Sequence, residues 1–413
     1  MAVTEFALPW PVRARAATRS LPLRLPLPLR ALALSRLLVL AGALAGGTLV
    51  PRVIGWQQFD SAGLSTSLGP LGNALTASVL RWDGLNYLHI AQHGYFASGL
   101  SVFFPLYPIL VGSVAFVLGS YVLAGLVINL ACFGVALTLL HRLTELELGE
   151  RAADATVLLL AFAPLSFFFS AMYTESLFLA LSVGAIYSAR RERWGIAAIL
   201  AGLAAITRVP GLLVIVPVAG LMLRSSQRSP RRLALLVLAP LALASFLAYC
   251  AAHGFGWMAP LTDQTGAAHS HLMTGPFVTI DAAVIAAGSG IGEILSGTPV
   301  LAPGVGGPLS LGAESVVLLL VLALACAALW ACFRRLPRIY GIYSALTILV
   351  CVFSPSIAQP LRSFDRYALT IFPLWMAAGA WLSERRAVRP ALVIGAGLLV
   401  FYSFEFATWA FIA

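Results

Sequence analysis

The chain of 413 residues contains no lysine; all 26 of its basic residues are arginine. Charge of either sign is scarce: 10% of residues are charged and 60% are hydrophobic, where a soluble domain carries roughly a quarter charged residues. That balance excludes a soluble globular domain. The five cysteines, Cys132, Cys250, Cys326, Cys332 and Cys351, all fall in apolar runs without a CxxC spacing, so they read as small buried hydrophobes rather than disulfides or metal ligands. No P-loop, dinucleotide fingerprint or Ser/His/Asp arrangement appears, and no internal repeat. The net charge of +10 is a topology signal and not a nucleic-acid signal, because arginines between apolar spans mark the cytoplasmic side.

What is present is a series of apolar runs near 20 residues long, which read as transmembrane helices. The expected fold is an all-α polytopic membrane protein. Residues 1–30 hold Arg13, Arg15, Arg19, Arg24 and Arg30 among prolines and read as a basic cytoplasmic tail near anionic headgroups. Residues 31–413 read as one membrane domain. The first span is about 31–50; a signal peptide cleaved near 43–46 is the competing reading, against which the long basic region argues. Arginine clusters at 190–193, 224–232, 334–338 and 385–389 are mutually consistent with one cytoplasmic face. Counting from them, residues 51–102 form an outer loop, 103–118 a juxtamembrane or re-entrant helix on the outer side, and 121–140 a crossing. Further spans at 155–172, 176–189, 195–208, 210–223, 233–252, 314–333, 339–355, 367–382 and 391–412 bring the expected total to about 11. A second outer loop at 253–313, rich in Gly, Pro, Ser and Thr, has the length of a lid or acceptor loop.

This topology leaves Arg52, Arg81, Arg208, Arg362 and Arg366 on the outer side, where each breaks the positive-inside rule. The most polar stretch is Arg81-Trp82-Asp83-Gly84. Either it is an interfacial loop with an ion pair and an aromatic belt, or Asp83 removes a proton from an acceptor hydroxyl within hydrogen-bond reach, with Arg81 orienting it. Tyr173-Thr174-Glu175 either caps the next helix or offers Glu175 to a substrate or to Arg208. Arg208 either snorkels to headgroups or grips a phosphate. Arg362 and Arg366 pose the same choice, with Asp365 beside them. His89 and His93 have the i,i+4 spacing that can place two imidazoles on one metal, but no third ligand is nearby apart from Asp83 or the distant pair His269 and His271. Neither a metal nor another cofactor is expected, and the pair is read as lining an acceptor groove. Trp82, Tyr87, Tyr95, Phe103, Phe104 and Tyr107 form either an interfacial belt or a surface that stacks on sugar or isoprenoid.

The run from Arg81 to Tyr95 followed by Phe104-Pro105-Leu106-Tyr107-Pro108 resembles the GPI mannosyltransferase II family, of the GT-C class of membrane glycosyltransferases. Pro164-Leu165-Ser166-Phe167-Phe168-Phe169-Ser170 with Tyr173 to Phe178, then Thr207-Arg208 with Gly211, then Arg366-Tyr367 with Phe372-Pro373, match its later signatures in order over about 80–375.

The resemblance implies a GT-C architecture with Asp83 as catalytic base in the first outer loop. It also implies a polyprenyl-phosphate donor of mannose or a similar hexose, used with inversion and without a nucleotide sugar. On that reading Arg208, Arg366 and Arg362 bind the donor phosphate, and Arg81, Trp82, Tyr87, His89, His93, Tyr107, Tyr173 and Glu175 bind or orient substrate. The acceptor is a glycolipid, glycan or protein, and the setting is the plasma membrane, with the site on its extracytoplasmic side. The rivals are a lipid or solute transporter or flippase, which calls for paired half-structures that the sequence lacks, and a non-catalytic subunit of a glycosylation complex.

Overall fold

The computed structural model describes residues 25–412 except 67, 227–228, 266–271, 273, 305–306, 354 and 358. Most of the expected basic tail, together with His269 and His271, lies outside the described residues. The described chain is helical throughout, apart from one antiparallel hairpin of strands Leu301–Gly304 and Gly307–Leu309.

Among the described residues six helices are long and apolar enough to cross a membrane: Leu27–Leu49, Tyr121–Leu148, Pro230–Ala252, Pro276–Leu295, Leu311–Arg335 and Val388–Ala407. The other apolar segments are shorter or broken. Trp194–Ala205 has 12 residues, and the run predicted as 367–382 is a short helix, Phe364–Thr370, followed by Phe372–Glu384. Leu106–Leu118 has 13 residues, about 20 Å at 1.5 Å per residue, too short for a core of about 30 Å.

Helix association in lipid gains little from the hydrophobic effect, because tails are as apolar as side chains; close backbone approach takes its place. The first helix uses this directly. Gly42 and Gly46, four residues apart, face the last helix, Val388–Ala407. A Cβ on Gly46 would sit 2.2 Å from the Phe404 carbonyl, and one on Gly42 2.6 Å from the Val400 carbonyl. The two ends of the described chain are thereby packed side by side.

Polar contacts sort to opposite ends of the bundle. At one end Arg190 pairs with Glu147 at 2.5 Å, Tyr340 donates to Glu147 at 2.7 Å, Arg335 pairs with Glu384 and Ser225 donates to Glu192 at 2.9 Å. Residues from all four arginine clusters or their neighbours thus meet at one end. Glu175, at the other end of the helix Glu175–Arg190, lies about 24 Å away, together with Asp83, Arg208 and Arg366.

One expectation needs correcting. The stretch 253–313 is not mainly loop, because it contains the 20-residue helix Pro276–Leu295. One of its glycines serves packing: a Cβ on Gly290 would lie 2.2 Å from the Gly312 carbonyl, whereas Gly288 and Gly292 have nothing within 4 Å. Just ahead of this helix, Thr274 and Leu272 donate to the carbonyls of Phe353 and Pro355, beyond the end of Arg338–Val352. Its far end meets Gly312 at the start of Leu311–Arg335. Both neighbours carry their arginines at the opposite end, so both ends of this helix meet the half of the bundle that holds Asp83.

Candidate active site

Asp83 is the first residue of the helix Asp83–His93, where the positive end of the helix dipole favours a carboxylate. A tight turn presents it. The Gly84 amide donates to the Arg81 carbonyl at 3.0 Å, and Trp82 occupies the turn at φ 51, ψ −121. That conformation is the first central position of a type II′ turn, where glycine is usual. A bulky residue there is strained by about 1–3 kcal/mol and persists only where surrounding contacts hold it. Here the Trp82 indole donates to the Ala410 carbonyl at 3.3 Å. Its ring lies 4.5 Å from Phe59 and 5.0 Å from Phe411.

Arg366 is delivered in a parallel way. Ser363, at φ 66 in the left-handed region, turns the chain into Phe364–Thr370. Arg366 Nη1 lies 2.9 Å from Asp83 Oδ2, and its Nε lies 3.5 Å from Glu175 Oε1. Glu175 Oε1 is also 3.2 Å from Arg208 Nη1. The result is one line of alternating charge, Asp83–Arg366–Glu175–Arg208, net neutral, with aromatic rings around the cations. Arg208 lies 4.5 Å from the Tyr367 ring and Arg366 5.3 Å from Tyr173. Burial alone lowers the Arg366 pKa, but the Asp83 and Glu175 carboxylates outweigh it and hold the guanidinium well above its ordinary value. Burial also pushes the Asp365 carboxyl up to about 6, against the backbone amide of Arg366 that it accepts.

The line runs from the interior toward open space. The Glu175 side chain is 2% exposed and Arg208 7%, whereas Arg366 is 13% and Asp83 33% exposed. Glu175 Oε2 and Arg208 Nε have no hydrogen-bond partner. Burying charge is costly unless pairing is complete, and such groups in native structures call for an explanation. All four residues line one cavity of about 690 Å³, within the range of small-molecule sites.

Of the residues singled out in the sequence, Asp83, Trp82, Tyr87, Tyr173, Glu175, Arg208, Arg362 and Arg366 line this cavity. Tyr107 does not; it is fully buried behind Tyr87, their rings 5.3 Å apart. Arg81 does not reach Asp83. Its buried guanidinium donates to the carbonyls of Leu80 at 2.8 Å and Ala407 at 3.2 Å, and lies 5.0 Å from the Trp409 ring. Burial lowers its pKa to about 9. Arg81 therefore ties this loop to the end of the last helix. His89 and His93 sit outside the cavity, ring centroids 6.2 Å apart, with Phe96 beside His89. Among the described residues no group of three His, Cys, Asp or Glu could hold a metal.

Several lining residues escape a reading of the sequence. Phe59 lies in the first outer loop, Gln264 in the second, and Phe411 past the last helix, which ends at Ala407. The only signal for Phe411 is an aromatic-rich run, Phe404 to Phe411, which reads equally well as the end of a span.

Residues 61–246 match the family model described as Mannosyltransferase (PIG-V). The chain is 32% identical over 180 residues to GPI alpha-1,6-mannosyltransferase 2 of Rattus norvegicus, a stretch covering 40% of this chain and 35% of that one. It is 31% identical over 164 residues to the protein of the same name in Mus musculus, covering 36% and 32%. The matched stretch is about a third of the length of these curated relatives. Among solved structures, the apo oligosaccharyltransferase of Archaeoglobus fulgidus aligns with 93% of this chain and 56% of its own, at 14% identity and a TM-score of 0.42. The family segment holds Asp83, Glu175 and Arg208; Arg362 and Arg366 lie beyond it.

Proposed function

We propose that this GPI mannosyltransferase II-like membrane protein is a GT-C glycosyltransferase. It moves mannose or a similar hexose from a polyprenyl phosphate to an acceptor hydroxyl, with inversion, at the extracytoplasmic end of the bundle. The observation that carries this reading is the unbroken line Asp83–Arg366–Glu175–Arg208 facing a single cavity. What supports this side of the membrane is the arginine-rich end opposite, which the positive-inside rule assigns to the cytoplasm.

Each member of the line has a role in that reaction. The donor phosphate monoester is anionic and meets Arg208 and Arg366, whose guanidinium forks match phosphate oxygens. Glu175 holds the two cations at a fixed separation and offsets their repulsion while the site is empty. When the phosphate arrives, Arg366 turns toward it and Asp83 is released to face the acceptor. The acceptor oxygen then forms its bond to the anomeric carbon as the bond from that carbon to the phosphate oxygen breaks. The electron pair leaves with polyprenyl phosphate, and the acceptor proton passes to Asp83. Fixed guanidinium charge at the departing phosphate is the kind of preorganised stabilisation that usually dominates a rate enhancement.

Residues 259–265 of the second outer loop act as a lid over this site. Gln264 lines the cavity and Asp263 accepts from Ser101 at 2.5 Å. The test is transfer of labelled mannose from polyprenyl-phosphate mannose by the full-length protein in lipid, beside Asp83→Asn.

A further inference from the structure

The lining of the cavity divides into two parts. Tyr87 and Phe103, rings 5.0 Å apart, stand with Leu85, Leu100, Val102 and Val209 on one side, a largely aliphatic wall. On the other side three rings meet: Phe59 is tilted against Trp82 with ring centres 4.5 Å apart, and Trp82 and Phe411 stand edge to face at 5.0 Å. Arg362 lies 4.1 Å from the centre of the Phe411 ring, and Gln58 and Ser363 complete this side. Phe59 is 44% exposed, so an aromatic surface in contact with polar groups is left open.

We propose that Phe59, Trp82 and Phe411 form the acceptor subsite, a platform for the apolar face of a pyranose ring, with Gln58 and Arg362 taking its hydroxyls. The proposal rests on the glycosyltransferase reading above. An open aromatic face bordered by a few polar groups suits a ligand with one apolar face and a polar edge. A pyranose has that shape, and an isoprenoid chain has no use for the amide and guanidinium. The position decides between acceptor and donor. A base must lie within hydrogen-bond reach of the hydroxyl it deprotonates, and the platform is built on Trp82, the residue next to Asp83. The buried Arg208, with an unpartnered Nε, lies at the other end of the charged line.

The C-terminal strip acquires a role from this. Trp409 is fully buried, Trp82 donates to the Ala410 carbonyl and Val53 donates to the Thr408 carbonyl at 2.8 Å. These contacts clamp the strip so that the Phe411 ring closes one wall of the site. Phe411 is thus a specificity-determining residue supplied from beyond the last span.

The test uses the full-length protein in lipid nanodiscs, with methyl α-D-mannopyranoside and methyl α-D-glucopyranoside as probes read by saturation-transfer difference NMR. The expected result is binding to wild type with the strongest transfer to ring C–H protons. The signal falls at least fivefold in Phe59→Ala and in Phe411→Ala, is kept in Phe411→Tyr, and persists under saturating polyprenyl-phosphate mannose. Absence of pyranoside binding to wild type, an undiminished signal in both alanine variants, or displacement by the donor would each overturn the acceptor platform. The donor competition is run in Asp83→Asn, so that binding is measured without turnover. A wild type that takes up pyranosides but never transfers labelled mannose counts against the glycosyltransferase reading instead, so the two failures are told apart.

Discussion

Arg366 Nη1 and Asp83 Oδ2 are 2.9 Å apart although 283 positions separate the two residues in the chain. Neither residue is explained by its own neighbourhood. Asp83 needs a cation at the bilayer surface, and Arg366 needs two carboxylates to be held in a site that desolvates it. Removing Arg366 as Arg366→Met leaves Asp83 without its cation, while Glu175 keeps Arg208 at 3.2 Å. Breaking a buried pair by removing one partner costs about 3–5 kcal/mol. The expected outcome is a lower apparent melting temperature in nanodiscs, partly restored by adding Asp83→Asn. A double variant no more stable than the single one would contradict the pairing.

Trp82 is held at a positive φ that glycine adopts without strain. Trp82→Ala loses the ring and keeps the strain, whereas Trp82→Gly loses the ring and relieves it. Trp82→Gly is expected to be more stable than Trp82→Ala by about 1 kcal/mol, against the usual order of the two residues. Thermal unfolding of the two variants side by side measures the difference.

Asp365 gives a pH dependence with a definite sign. Its carboxyl is raised from 3.8 to about 6 by burial, so the folded state binds this proton more tightly than the unfolded one. The cost of burying the carboxylate is absent below pH 3.8 and is fully present above about pH 6, and stability from this group falls as pH rises between them. Asp365→Asn should flatten that slope and raise the melting temperature above pH 6, leaving it little changed near pH 4. Melting curves across pH 4–7 for both proteins supply the check.

Gly46 lies against the Phe404 carbonyl with no room for a side chain. Gly46→Leu forces the first and last helices apart, and overpacking of this kind costs about 1–3 kcal/mol. Because the last helix carries the Phe411 strip, lost stability should come with a lower rate of sugar transfer. Gly288 has nothing within 4 Å of a Cβ, so Gly288→Ala serves as the control, with both quantities unchanged.

The sequence was most informative where charge breaks a rule. Asp83, Glu175, Arg208 and Arg366 stood out as outer-face charges in an apolar chain, and all four line one cavity. The arginine clusters gave the common end because each sits at a helix terminus. Apolar residues were not legible in this way. A helix between lipid and protein is apolar on both faces, so no stripe says which side packs. Phe59 and Phe411 were missed because one lies in a loop and the other past the last helix, where no periodicity marks a lining position. Pro276–Leu295 read as loop because of its glycines, of which Gly290 serves close packing. Arg81 misled for a related reason: its proximity to Asp83 in sequence suggested a partner, but the turn at Trp82 sends its side chain toward Ala407.

The central claim is that Asp83 takes the acceptor proton while Arg366 and Arg208 hold the departing phosphate. It is tested most directly by following labelled mannose from polyprenyl-phosphate mannose into acceptor with wild type and Asp83→Asn, both full-length and reconstituted in lipid. Deleting a general base costs about 10²–10⁴-fold in rate. The account predicts a loss of that size in Asp83→Asn with donor binding retained. Transfer by Asp83→Asn at the wild-type rate would contradict it.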